Sequence, residues 1–143
     1  LGVGPFFLTD YTPGTFEKIT YRGKPSDLSM KVAIAQAGNV QIELIEPATD
    51  QCAYRDSVPK GQMAFHHMCV WTLDFEADLK YMESLNYAAA NTGKVGGIEF
   101  AYFDTRPLMG CMLEVVTKNE GTVARFAEIA ETARNWNGKD PIR

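Results

Sequence analysis

The chain has 143 residues, of which 45% are hydrophobic and 22% are charged, a composition that supports one well-buried core and excludes a disordered segment. Its formal net charge of −4 leaves no basic field for a nucleic-acid backbone, so nucleic acid is excluded as a partner. No apolar stretch approaches the roughly 20 residues that cross a bilayer, and a soluble protein is therefore predicted.

The first third of the chain is rich in strand patterns. Four strands are predicted, at residues 4–9, 16–22, 29–37 and 40–46. Gly38-Asn39 separates the last two, which is typical of a tight hairpin. A loop is expected from residue 47 to residue 61 because it contains Pro47, Pro59 and a polar cluster.

Both histidines of the chain lie in the next predicted strand, AFHHMCVW at residues 64–71. A helix is predicted over residues 74–85 because apolar side chains recur there at helical spacing, and Thr72 or Asp74 can cap it. Three further strands follow, at residues 87–92, 98–105 and 110–117. The amphipathic tail, residues 122–136, predicts a helix that covers a sheet edge or a partner.

The second half therefore has the order β-α-β-β-β, and the first half resembles the last three strands of the same unit. Glu43 and Glu114 hold matching places in the strands VQIELIE and CMLEVVT. If the units match, a strand and a helix precede Leu1, with a counterpart of His67 about 18 residues upstream. We predict one domain, residues 1–143, made of a first unit (1–47), a linker loop (48–63), a second unit (64–118) and a C-terminal helix and tail (119–143).

The two glutamates lie within apolar strands. Because alternate residues of a strand share a face, Glu114 lies beside Met112 and Val116. Burial of an unpaired carboxylate costs several kcal/mol unless a cation or several donors stabilise it. One interpretation leaves both glutamates in water; the other, favoured by the same pattern in both units, places them around a cation.

The histidines leave a similar choice. Adjacent residues of a strand point to opposite faces, so His66 and His67 are not both expected at one site. A hydrogen-bonded core histidine beside an exposed one is the alternative. Together with the carboxylates, one imidazole would suit Zn, Fe, Ni, Co or Mn.

The segments FHHMCVWTLD, VQIELIEP and GCMLEVV resemble the vicinal oxygen chelate superfamily, which includes glyoxalase I, methylmalonyl-CoA epimerase, extradiol dioxygenases and bleomycin-resistance proteins. VAIAQAGNVQIELIEP, the loop after it and FHH are most similar to the methylmalonyl-CoA epimerase and glyoxalase I-like branch. The resemblance implies an α+β fold, in which paired βαβββ modules form a cupped mixed sheet around a divalent metal ion. The first strand and helix of module 1 would then be missing from this chain.

The resemblance also implies the ligands. Glu43 matches the ligand from the last strand of module 1. His67 matches the ligand from the first strand of module 2, and Glu114 matches the ligand from its last strand. The fourth ligand, commonly histidine, belongs to the strand expected ahead of Leu1. The ion would be Zn, Ni, Co, Mn or Fe.

Such a site predicts a metal-dependent isomerase, epimerase or lyase that abstracts a proton next to a carbonyl or thioester and stabilises the resulting enediolate. Glu114 is the first candidate for the base and Glu43 the second. The alternatives are a ring-cleaving dioxygenase of the extradiol type, which two carboxylate ligands disfavour, and a binding protein without catalysis, which the retained acids disfavour.

Contacts with the small-molecule substrate are predicted from Arg55, Tyr102, Phe103 and Arg106, with solvated arginines and core aromatics as the alternative. Sheet edges and the tail helix predict a homodimer. Three cysteines without a C-x-x-C pair favour the reducing cytoplasm.

Overall fold

The computed structural model describes residues 2–143, and the strand and helix expected ahead of Leu1 lie outside them. In chain order the elements are β1 Phe7–Tyr11, β2 Lys18–Tyr21, β3 Lys24–Pro25, β4 Met30–Ala37, β5 Val40–Pro47, α1 Ala53–Ser57, β6 His67–Thr72, α2 Phe75–Ser84, β7 Ala89–Val95, β8 Ile98–Phe103, α3 Arg106–Met109, β9 Met112–Thr117 and α4 Glu120–Arg134. No helix in this part of the chain is long and apolar enough to cross a membrane.

The second half forms a βαβββ module. β6 runs parallel to β9, and β9, β8 and β7 follow one another as antiparallel neighbours. A parallel pair requires a crossover connection, and α2 provides part of it. The Asp74 side chain accepts a hydrogen bond from the backbone N–H of Ala77 and caps α2.

The first half forms a three-stranded antiparallel sheet in the order β1-β4-β5. The predicted hairpin is confirmed, since Ala37 pairs with Val40 across the two-residue turn. Gly38 has a φ of 62°, a left-handed conformation that glycine adopts without steric cost. This antiparallel sheet and the mixed sheet of the second half give an α+β fold that is consistent with βαβββ modules.

The second predicted strand is present, but it belongs to the other sheet. β2 pairs with β7, and with β3 it extends the module 2 sheet to the order β3-β2-β7-β8-β9-β6. The hydroxyls of Thr20 and Thr92 lie 2.7 Å apart across this pair, and the Asn91 side chain donates to the carbonyl of Thr20. The β2–β3 hairpin therefore joins the two modules.

The segment predicted as a loop contains the short helix α1. Its helical pattern is too short to stand out, and tertiary contacts stabilise it: Ala53 and Tyr54 are buried, and the Asn91 side chain accepts from the backbone N–H of Ala53. α3 was also missed, within the residues after β8.

Two apolar clusters hold the layers together. One lies between the sheets and includes Val32, Tyr54, Tyr102 and Met112. The other lies between α2 and the opposite face of the module 2 sheet, with Phe103 at its centre. The predicted tail helix is α4, which packs against β4 and places Phe126 against Trp71 of β6, with ring centroids 5.4 Å apart.

Candidate metal centre

The structure brings together the three predicted ligands. The Nε2 atom of His67 lies 3.4 Å from the Glu43 Oε2 atom and 3.4 Å from the Glu114 Oε2 atom. One ligand atom from each of the three side chains lies within 4.8 Å of the other two. The glutamates therefore do not point into open water on separate surfaces, which was the alternative.

Strand register explains the convergence. In the parallel pair β6–β9, His67 lies opposite Met112 and Cys69 lies opposite Glu114. Two residues along one strand share a face, so His67 and Glu114 point to the same side of the module 2 sheet. Glu43 reaches this point from β5 of the other sheet, and the site consequently lies between the two modules.

Burial and neighbouring charges shift the pKa of His67 in opposite directions. Its side chain is only 10% exposed, against 13% for Glu114 and 31% for Glu43. Burial lowers the pKa of His67, but hydrogen bonds and charge interactions with Glu114 and Glu43 outweigh it and raise that pKa to about 9. Two carboxylates in a partly buried site hold a cation, and in the metal-free protein this cation is protonated His67.

The residues fit a divalent ion. Atoms that lie about 2.0–2.2 Å from one ion are about 3.0–3.5 Å apart when they subtend angles of about 90–110° at it. The two separations of 3.4 Å fall in this range. Two carboxylate oxygens and one imidazole nitrogen suit the ions named above.

His66 also belongs to the centre, which the sequence analysis did not predict. Its Nδ1 atom lies 3.0 Å from Nδ1 of His67, and its Nε2 atom lies 3.1 Å from the carbonyl oxygen of Ala53. Burial lowers the pKa of His66 to about 4, against the effect of the Ala53 hydrogen bond. The two rings meet because β6 begins at His67, so strand alternation does not extend to His66. The adjacency of the two histidines was the only signal in the sequence.

Two buried tyrosines, Tyr54 and Tyr102, lie beside the two histidines. The hydroxyls of Tyr54 and Tyr102 lie 2.9 Å apart, and the Tyr102 ring stands edge-to-face against His67 with centroids separated by 5.1 Å. Burial, reinforced by the charges of Glu114 and Glu43, raises the pKa of both tyrosines well above the usual range. Both hydroxyls are therefore neutral. Tyr54 was missed because it lies in α1.

The other predicted substrate contacts are not brought to the cluster. Arg55 donates to the carbonyls of Pro47 and Val58. Arg106 is paired with Asp104 and also donates to the backbone carbonyl of Asp56 in α1. Phe103 is fully buried beneath α2, because it follows Tyr102 in β8 and alternation turns it to the opposite face. Of the four, only Tyr102 contacts a predicted ligand.

Comparison with known proteins relates the chain to one sequence family and to a solved structure. Residues 2–102 match the sequence model of the Glyoxalase/Bleomycin resistance protein/Dioxygenase superfamily, a range that includes Glu43 and His67 and ends before Glu114. The crystal structure of hypothetical protein BH1468 from Bacillus halodurans C-125 has a TM-score of 0.50 and 21% sequence identity, and the match covers 64% of this chain and 68% of that chain. At this identity the likeness shows the fold alone. No curated protein sequence matches significantly.

Proposed function

This chain belongs to the Glyoxalase/Bleomycin resistance protein/Dioxygenase superfamily, and on that premise we propose that it is a metal-dependent isomerase, epimerase or lyase. In this proposal the enzyme removes a proton from the carbon next to a carbonyl or thioester. The single observation that supports it best is the convergence of Glu43, His67 and Glu114, with their ligand atoms within 4.8 Å of one another.

Three side chains would hold the ion: His67 through Nε2, and Glu43 and Glu114 through carboxylate oxygens. A divalent ion bound there supplies a Lewis acid that polarises the carbonyl of the substrate and stabilises the negative charge of an enediolate or enolate. A fourth ligand from a strand ahead of Leu1, as the resemblance implies, is part of the same proposal.

Glu114 is the proposed proton acceptor. It is less exposed than Glu43, and Tyr102 lies opposite it on the neighbouring strand β8. A partly buried carboxylate has few alternative positions and can take the proton from a bound substrate, and its 13% exposure lets that proton exchange with water before it is returned. Glu43, at 31% exposure, acts mainly as a ligand in this scheme.

The type of ligand favours proton transfer over ring cleavage. Oxygenases with non-haem iron commonly use two histidines and one carboxylate. Among residues 2–143, the cluster has two carboxylates and one imidazole, and a histidine as the proposed fourth ligand would still leave one carboxylate more than that set contains. Two anionic ligands support Lewis-acid chemistry at an ion that does not change its oxidation state.

The first test is metal binding. We expect elemental analysis and competition with a coloured chelator to show one Zn, Ni, Co or Mn ion per chain, and His67→Ala to weaken binding by more than the roughly 10–100-fold that loss of an outer-shell partner costs. Glu46→Gln is the matched control, because Glu46 is an exposed glutamate of the same strand as Glu43 and lies outside the cluster. A wild-type chain that binds none of these ions would refute the proposal.

The second test is proton exchange. We expect the metal-loaded protein, incubated in heavy water with α-hydroxy carbonyl compounds and acyl thioesters, to place deuterium on the carbon next to the carbonyl, as followed by NMR. The chelator-treated protein and Glu114→Gln serve as controls. Iron content with oxygen consumption on catechols would instead support ring cleavage.

The small-molecule substrate, the homodimer and the cytoplasmic location predicted from the sequence stay predictions. The deuterium experiment can identify the class of substrate, because it surveys classes of compound rather than one molecule.

A further inference from the structure

We propose that His66 is a positioning residue, which fixes the orientation and the tautomer of His67 through a hydrogen-bond relay that ends on the backbone carbonyl of Ala53. This inference rests on the proposed function, because it takes Nε2 of His67 as the atom that binds the ion. It concerns a residue that touches neither the ion nor the substrate.

The direction of each hydrogen bond in the relay follows from its two ends. The carbonyl oxygen of Ala53 can only accept, so Nε2 of His66, 3.1 Å away, carries a hydrogen and donates it. At the other end, Nε2 of His67 must present a lone pair to bind a cation, and the ring hydrogen of His67 is then on Nδ1.

The middle hydrogen bond joins these two assignments. The Nδ1 atoms of His66 and His67 lie 3.0 Å apart, and only one of them can donate to the other. Because the hydrogen of His67 is on Nδ1, the Nδ1 atom of His66 must accept it. That atom has a free lone pair, since the single ring hydrogen of His66 is on Nε2 and is donated to Ala53. Each of the four ring nitrogens is therefore either a donor or an acceptor, and the four assignments are consistent with one another.

The acceptor at the end of the relay is held firmly. Ala53 is fully buried, and its backbone N–H donates to the Asn91 side chain. Asn91 is itself 1% exposed and donates to the carbonyl of Thr20 in β2. The relay therefore connects the hairpin that joins the modules to the imidazole ligand of the candidate metal centre.

Packing and a backbone bond keep the His66 ring in place. The ring lies against Tyr54 and Tyr102, with centroid separations of 4.9 and 5.8 Å. The carbonyl of His66 accepts from the backbone N–H of Met112, at 2.9 Å. Groups that orient a ligating histidine in this way typically contribute 10–100-fold to metal affinity.

Two substitutions separate the two halves of the relay. In His66→Asn the amide oxygen lies near the former Nδ1 position and can accept from His67, whereas in His66→Gln the amide nitrogen lies near the former Nε2 position and can donate only to Ala53. We expect His66→Phe and His66→Gln to weaken zinc binding by about 10–100-fold and His66→Asn to weaken it less. Equal affinity of His66→Phe and the wild type would overturn the proposal.

Nitrogen-15 NMR of the histidine rings gives a readout that needs no variant. In the metal-free wild type we expect the tautomer of His66 with hydrogen on Nε2, and in the zinc-loaded protein a slowly exchanging Nδ1–H on His67. A His66 ring with hydrogen on Nδ1 instead would overturn the relay even if every variant failed to fold.

The two proposals fail in different ways. If the wild type binds no divalent ion, the proposed function fails, while the His66 tautomer of the metal-free protein still decides whether the relay exists. If the wild type binds zinc and His66→Phe binds it equally tightly, the relay fails and the metal site stands.

Discussion

The two modules carry the same glutamate in the corresponding strand but support it differently. Glu114 is 13% exposed and belongs to a sheet whose outer face is covered by α2. Glu43 is 31% exposed and lies in β5, an edge strand of the three-stranded sheet. Leu8 and Leu44, which flank Ala33 on the outer face of that sheet, are each 55% exposed.

This difference shows that a repeated strand pattern does not ensure equivalent surroundings for the residue it repeats. A carboxylate on a strand packed on both faces has few alternative positions, and one on an edge strand whose outer face is partly exposed has more. We therefore expect Glu114 to be the side chain whose position determines the reaction, and Glu43 to complete the charge and the coordination of the ion.

The largest expected contrast is in catalysis. Glu114→Gln should lower kcat of the deuterium-exchange reaction by about 10²–10⁴-fold, because it removes the proton acceptor, and Glu43→Gln should mainly weaken metal binding. Steady-state kinetics at saturating zinc separate these effects. Equal losses of kcat in the two variants would mean that the modules contribute equally to proton transfer.

A second contrast concerns packing. Phe103→Ala should lower the free energy of unfolding by about 3–5 kcal/mol, because it leaves a cavity beneath α2. Leu44→Ala, on the exposed outer face of the other module, should change it by no more than about 0.5 kcal/mol. Urea unfolding followed by circular dichroism measures both. A large cost for Leu44→Ala would show that another surface covers this face in solution.

The smallest contrast is in pH dependence. The pKa of His67, about 9 when folded, lies above its ordinary value. Its protonation therefore contributes on the order of 3 kcal/mol to the free energy of unfolding. This contribution is complete below about pH 6.5 and is lost as the pH rises through 9. The pKa of His66, about 4, lies below the ordinary value, so stability falls as the pH drops from about 6.5 towards 4.

Urea unfolding of the metal-free protein across this pH range should therefore show greatest stability near neutral pH. Glu114→Gln and Glu43→Gln should each reduce the loss on the alkaline side, because each removes one of the charges that keep His67 protonated. Unchanged stability between pH 6.5 and 9 in the wild type would contradict the ion cluster.

The amino-acid sequence by itself determined the features that depend on near neighbours. The matching places of Glu43 and Glu114 in two strands favoured a shared cation site over two solvated carboxylates, Gly38-Asn39 determined the hairpin, and the spacing of Phe75, Leu79 and Met82 determined α2. These predictions succeeded because strand alternation, turn chemistry and helical period act over a few residues.

Only the tertiary structure decided the rest. The pairing of β2 with β7, the folding of α1 and the contact of His66 with Ala53 all join residues far apart in the chain. Their free energy comes from register and burial across separate elements, which short-range patterns do not encode. Tertiary contacts also brought His66 into the site, whereas Phe103 lies outside it because strand alternation in β8 turns it away from the face of Tyr102.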